Sequence, residues 1–345
     1  MDVAAPPKPT LRVSQSKRKP TRETLERLDH LLVLVPSTLR PEHWPALPAG
    51  RQLMKLADHS KADALPRAQT RLNNSRGTGI TVVCCDPKQP AFDRLTRARR
   101  ALASVLSEHP GALGLFIVGF KPQDHSMLAE AMVIAGAAAA YEGPSFKSAP
   151  QRKRRLRQLR LLGITDRLDL DVALAAQASN DLARWLTALP ANKLTASSYQ
   201  SLARQVATEQ GCQYSFLNEK RLAELGAGAF LAVCQGNQSR DAGIIRLRYR
   251  PQGGVDRRPA LALVGKGILF DTGGTNLKPF KSMLDMHTDM GGSAVALGIF
   301  RALAELQVPY PVDAWLAITE NRMSAAAYKP QDVVTAANGQ TIQVI

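Results

Sequence analysis

Apolar positions along the chain follow two periods, and these divide it into elements. The runs LLVLVP (31–36), ITVVCC (80–85) and LGLFIVGF (113–120) are short and apolar and read as strands. Arg94 to Leu106 and Met127 to Tyr141 read as helices between and after them. This alternation predicts a small α/β domain with a partly parallel sheet. Farther along, Asp169 to Leu189 reads as a helix stopped by Pro190, and Ser197 to Gly211 as a second helix with Thr195 as its N-cap. CQYSFLN and AGIIRLRYR read as strands, with a short helix and loop at KRLAELGAGAFLAV between them. From Pro259 onward come a strand (ALALVGKGILF), a glycine-rich loop, a helix (Met290 to Leu306) and a strand (VDAWLAIT). DVVTAANGQTIQVI then predicts two short strands around an Asn-Gly turn. The expected fold class is α/β: a small N-terminal α/β domain, then a second α/β domain with a mixed, mostly parallel sheet.

Composition changes this picture at two places. Residues 1–25 are rich in Pro, Lys, Arg and Ser and are expected to be a disordered basic tail. Residues 146–168 hold the run Arg152 to Arg160 and are expected to be a basic linker or connecting helix. The domains are then 26–145 and 169–345. These two runs carry much of the net charge of +16, which favours polyanions such as nucleic acid without any sequence specificity. A solvated linker and tail account for the same charge. No apolar run is long enough to span a bilayer, and the N-terminus lacks a signal-peptide core, so no membrane partner and a cytoplasmic location are expected. Cys84, Cys85, Cys212 and Cys234 have neither zinc-type spacing nor the pattern of a disulfide framework.

Candidate chemistry is concentrated in VGKGILFDTGGTNLKPFKSMLDMHTDMGG (264–292), which gathers Lys266, Asp271, Lys278, Asp285 and Asp289 among glycines. Lys266 and Asp271 lie at the end of an apolar strand, where α/β folds place ligands. A phosphate-binding loop would need a glycine where Ala260 stands and a Ser or Thr where Gly267 stands, so that reading fails. Asp-Thr-Gly at 271–273 is also found in the catalytic turn of aspartic proteases, but that turn belongs to all-β domains. A carboxylate-rich metal site accounts for the most residues. Any one of these Asp or Lys residues alone would be a turn or solvated side chain; Asp285 is assigned that bland role, as a helix-capping or surface carboxylate.

The segment resembles the signature of the leucyl (cytosol) aminopeptidase family: V-G-K-G, then F-D-S/T-G-G, K-P and D-M-G-G. The resemblance extends through LPANKLTASSYQSLARQ, LGAGAFLAVCQGN and TENRMSAAAYKPQDVVTAANGQTIQV, and so covers about residues 180–345. It implies a two-metal aminopeptidase, by kinship a cytoplasmic homohexamer removing leucine-like N-terminal residues from peptides with Mn or Zn. Lys266, Asp271 and Asp289 then occupy metal-ligand positions, with Asp271 bridging two ions. Lys278 matches the lysine facing the scissile carbonyl, Met286 matches a residue of the substrate side-chain pocket, and His287 is given no role. In the family the strand matching TIQV leads into N-T-D-A-E-G-R, whose Asp and Glu complete the metal sites and whose Arg holds a bicarbonate base. The sequence stops at Ile345, before that loop, so the catalytic domain is expected to be incomplete. One metal site would keep Lys266, Asp271 and Asp289, the other only Asp271, and this chain by itself is expected to be inactive, with apolar sheet edges uncovered. An incomplete reading of an ordinary enzyme is favoured over a degenerate relative, because the remaining motif residues are intact. Two other readings stand beside the peptidase: nucleic-acid binding through the basic tail and Arg152 to Arg160, a property known in some family members, and an inactive scaffold.

Overall fold

A computed structural model describes residues 11–39, 41–57, 68–148, 155–252 and 258–344. These fall into two compact units that part between Gln177 and Ala178.

In the first unit the elements are β1 (Arg12–Ser16), α1 (Arg22–Glu26), β2 (His30–Pro36), α2 (Gly50–Leu56), β3 (Ala68–Arg71), β4 (Gly79–Cys85), α3 (Ala91–Leu106), β5 (Ala112–Ile117), α4 (Pro122–Ala140) and β6 (Gln158–Leu162). They build a six-stranded sheet of order β1-β6-β5-β2-β4-β3, parallel except where β3 meets β4. The continuous apolar strands are buried on both faces. In β2, Leu32 and Leu34 join one core with α3 and α4, while Leu31, Val33 and Val35 join another with Trp44 and Leu53.

Two expectations are corrected here. Within the tail expected to be disordered, residues 12–16 form β1, and the segment expected to be a linker contributes β6. Both errors have one cause: charge hid a two-residue period. Leu159 and Leu161 point into the core while Arg160 between them is only partly buried, and Leu11 and Val13 pack against the same core. Arg155 is spent on Glu142 at 3.0 Å, and Arg160 donates to Gln158 Oε1 at 3.0 Å. Residues 1–10 of the expected tail, and Arg152, Lys153 and Arg154 of the basic run, lie outside the described residues.

Helix α5 (Asp171–Ala188) runs across the division. The second unit continues with α6 (Ala196–Glu209), β7 (Gln213–Asn218), α7 (Glu219–Glu224), α8 (Gly228–Cys234), β8 (Gly243–Tyr249), β9 (Leu261–Asp271), α9 (Phe280–Met283), α10 (Gly291–Glu305), β10 (Val312–Asn321), β11 (Val333–Thr335) and β12 (Thr341–Gln343). Thr195 caps α6 in a reciprocal box with Ser198, and β11 and β12 form the hairpin expected around Asn338-Gly339. The main sheet is mixed, of order β7-β8-β10-β9. Within it, β9–β10 is the parallel pair among the described strands; β7–β8 and β8–β10 are antiparallel. Alternate residues of β8 and β10 (Ile245, Leu247, Val312, Ala314, Leu316, Ile318) pack against α5, α6 and α10 through Leu186, Tyr199, Leu202, Leu297 and Phe300. The opposite face carries the fully buried Asp313, held by Arg246 at 2.6 Å and Arg250 at 2.7 Å, with Arg246 stacked 4.5 Å from the Trp315 ring. Among the described residues no helix is long and apolar enough to cross a membrane.

Candidate metal centre

Strand β9 supplies the first two candidate residues, and a backbone irregularity lets them share a face. Strict alternation would point Lys266 and Asp271 to opposite sides of the sheet. However, Lys266 lies opposite Ala317 and Asp271 opposite Asn321, an odd step along β9 against an even one along β10. The extra residue falls after the Ile268–Thr319 pair, so a β-bulge turns Asp271 onto the face of Lys266.

Glycines bring the third residue in. A Cβ on Gly265 would lie 2.5 Å from the Cα of Ser293, and one on Gly292 would lie 3.2 Å from the Lys266 nitrogen. Only bare backbone allows α10 to begin so close to β9. Asp289 stands just ahead of that helix start, and Lys266 Nζ donates to its Oδ1 at 2.7 Å. The loop after β9 is folded back by two left-handed glycines, Gly273 (φ 88°) and Gly274 (φ 65°). The Lys278 N–H then donates to the Thr272 carbonyl at 2.9 Å. That return places Lys278 Nζ 2.7 Å from Asp271 Oδ2 and 2.9 Å from Met286 Sδ.

The candidate ligands, Lys278 and Met286 thus fall into two contact groups, joined along the chain. Asp271 touches Lys278, Lys278 touches Met286, and the 3-10 turn Met286–Thr288 leads into Asp289, which returns to Lys266 on the starting strand. Asp285 is exposed and makes no side-chain cap, so the capping half of its expected role is not met; its carbonyl accepts from Thr288 N–H and Oγ1.

Charge within the site is balanced in pairs. Burial by itself would raise the Asp271 carboxyl, but the Lys278 ammonium, the Gly273 N–H and the Asn321 amide outweigh it and hold the group below the usual carboxylate range. Asp289 Oδ2 is buried without a hydrogen-bond partner among the described residues. An amine and two carboxylates, one with such an unspent oxygen, form a donor set suited to a divalent cation such as Mn2+ or Zn2+. Among the described residues no group of three or more His, Cys, Asp or Glu side chains converges as a metal site, since this donor set contains only two carboxylates.

Sequence reasoning missed Asn321 and Tyr328. Asn321 Nδ2 donates to Asp271 Oδ1 at 2.7 Å and to the Tyr328 hydroxyl at 3.2 Å. Both lie within the TENRMSAAAYKP segment, but only the parallel register of β9 with β10 reveals that Asn321 faces Asp271.

Comparison with known proteins bears on these motifs. The catalytic-domain profile of the cytosol aminopeptidase family matches residues 181–345. A probable cytosol aminopeptidase of Prochlorococcus marinus (strain MIT 9313) is 38% identical over 277 residues, covering 79% of this chain and 56% of the relative. Its counterpart in Parasynechococcus marenigrum (strain WH8102) is 37% identical over 283 residues, with 79% and 56% covered. The chain thus spans a little over half the length of the curated relatives it matches. Among solved structures, a mutant of tomato leucine aminopeptidase superposes with a TM-score of 0.79 at 24% identity, over 100% of this chain and 69% of that one. The bottromycin maturation enzyme BotP, solved in complex with Mn, gives 0.69 at 21% identity, over 91% and 64%. At these identities the structural likeness concerns the fold.

Proposed function

We propose, for a chain that belongs to the leucyl (cytosol) aminopeptidase family, that Lys266, Asp271 and Asp289 hold divalent metal for the removal of leucine-like N-terminal residues from peptides. The observation that carries this reading is two contact groups at the end of β9, Lys266 with Asp289 and Lys278 with both Asp271 and Met286. Residues far apart in sequence, with chemistry suited to one reaction, converge on one strand end. A divalent ion bound there would activate water and polarise the scissile carbonyl.

The chain's own residues have distinct parts in this proposal. Lys266 would ligate through its nitrogen, so holding a cation would require its contact with Asp289 to be exchanged. Asp289 offers its unspent Oδ2, and Asp271 its Oδ2. The Lys278 amine, 2.7 Å from Asp271, is the group available to a developing oxyanion. Met286, in contact with the same amine, lies against the first side chain of the substrate. Manganese is the first metal to try, since BotP was solved with Mn. A cytosolic homohexamer is proposed on family membership alone, and light scattering measures it. No observation favours nucleic-acid binding over this reading: of the described basic run, Arg155 and Arg160 are engaged within the fold.

Titration calorimetry with Mn2+ tests the site directly. The 345-residue protein is expected to bind Mn2+, and Asp289→Ala to abolish or greatly weaken that binding. Wherever leucine anilide hydrolysis is measured, Lys278→Ala is expected to lower kcat by about 10²–10³-fold, the usual effect of removing one oxyanion donor. Absence of Mn2+ binding at millimolar metal would overturn the reading.

A further inference from the structure

We infer that Asn321 is a positioning residue that fixes the carboxylate of Asp271 and thereby selects the oxygen it presents to a cation. The inference rests on the metal-site reading above and adds a residue to it.

Backbone and side chain of Asn321 both grip the end of β9. Its carbonyl accepts from the Thr272 N–H at 2.9 Å and from Thr272 Oγ1 at 2.8 Å, which locks the residue after Asp271. Its amide nitrogen has two hydrogens; one goes to Asp271 Oδ1 at 2.7 Å and the other to the Tyr328 hydroxyl at 3.2 Å. Flipping the amide would set its oxygen against the carboxylate, acceptor facing acceptor, so chemistry dictates which atom faces Asp271.

The other end of the amide shows what the residue is for. Asn321 is only 5% exposed, and its Oδ1 is buried with no hydrogen-bond partner among the described residues. An asparagine serving only to tie the fold together would be satisfied at both ends. Here the acceptor end is left unmet and the donor end is spent on a carboxylate.

Counting lone pairs gives the consequence. Asp271 Oδ1 accepts from the Gly273 N–H at 2.9 Å and from Asn321 at 2.7 Å, which fills both of its acceptor positions. Asp271 Oδ2 accepts from Lys278 alone among the described residues and keeps one position open. Asn321 and Gly273 thus hold the carboxylate by one oxygen and leave the other for a ligand. Tyr328 acts one step farther out by accepting the second amide hydrogen.

The test is calorimetric titration of the full 345-residue protein with Mn2+, for wild type, Asn321→Ala and Tyr328→Phe, with the unfolding midpoint of each measured in parallel. At a temperature where all are folded, N321A is expected to raise the Mn2+ Kd by about 10–100-fold, the usual effect of losing a partner that orients a ligand. Y328F should raise it in the same direction by less, about threefold to tenfold, as suits one neutral hydrogen bond. A Kd for N321A within about twofold of wild type overturns the positioning role while leaving the metal site standing. Wild-type protein that takes up no Mn2+ overturns the metal site and this inference with it. If N321A does not fold, Asn321→Ser, which keeps the backbone grip, replaces it under the same criterion.

Discussion

Lys266, Asp271, Lys278, Met286 and Asp289 were legible in the sequence because each belongs to an ordered motif, and order survives without knowledge of contacts. Asn321 was not, since its importance lies in facing Asp271 across a strand pair. Asp313 was missed for a related reason: it sits in an apolar strand, VDAWLAIT, and its partners are Arg246 of β8 and Arg250 just after it. Burial by itself would raise the Asp313 carboxyl, yet hydrogen bonds from Arg246 and Arg250 hold it below the usual range. Removing one member of a buried ion cluster leaves the others uncompensated, at a cost of about 3–5 kcal/mol. Asp313→Ala is therefore expected to destabilise the second unit by that amount in urea unfolding. A loss below 1 kcal/mol would mean that the arginines reach water without help.

Periodicity fixed most strands and helices to within a few residues, including the continuous strands β2, β4 and β5 and the N-cap at Thr195. It failed where charge masked alternation, in β1 and β6, and it could not supply the bulge of β9, because an inserted residue is visible only against a partner strand. The approach of α10 to β9 was equally invisible, since nothing in the sequence marks Gly265 and Gly292 as the glycines that permit it. Gly265→Ala would place a methyl group 2.5 Å from backbone at Ser293, where no side-chain rotation relieves it. Overpacking of this kind costs about 1–3 kcal/mol. Because Asp289 precedes the displaced helix, G265A should also weaken Mn2+ binding. Gly211→Ala is the comparison: it has a left-handed φ of 62° but open space around the added Cβ. It should cost about 1 kcal/mol through backbone strain and leave metal affinity unchanged. Equal metal affinity in G265A and wild type would refute the link between helix approach and site.

At the scale of the whole molecule, two cores with different buried titrating groups predict two responses to pH. In the first unit, His30 is fully buried between Thr81, 2.8 Å from Nε2, and Glu108, 3.3 Å from Nδ1, with Arg71 on the same carboxylate at 2.7 Å. Burial lowers its pKa more than Glu108 raises it, and Arg71 adds to the lowering. The unfolded chain therefore takes up the proton first, near its ordinary value of about 6.5. Stability linked to His30 is complete above that pH and declines as the pH falls below it. In the second unit, Asp313 and Asp271 have lowered pKa values. Their contribution is complete above the unfolded carboxylate value of about 3.9 and is lost only as the pH drops through their folded values. Tryptophan separates the two responses, because Trp44 lies in the first unit's core and Trp185 and Trp315 lie in the second unit. Urea unfolding between pH 7 and about 5 should show falling stability in a variant carrying Trp44 alone and little change in one carrying only Trp185 and Trp315. His30→Gln should flatten the first response whatever it does to absolute stability. A Trp44 signal with no dependence on pH in that range, or a slope that persists in H30Q, would remove His30 as the titrating group.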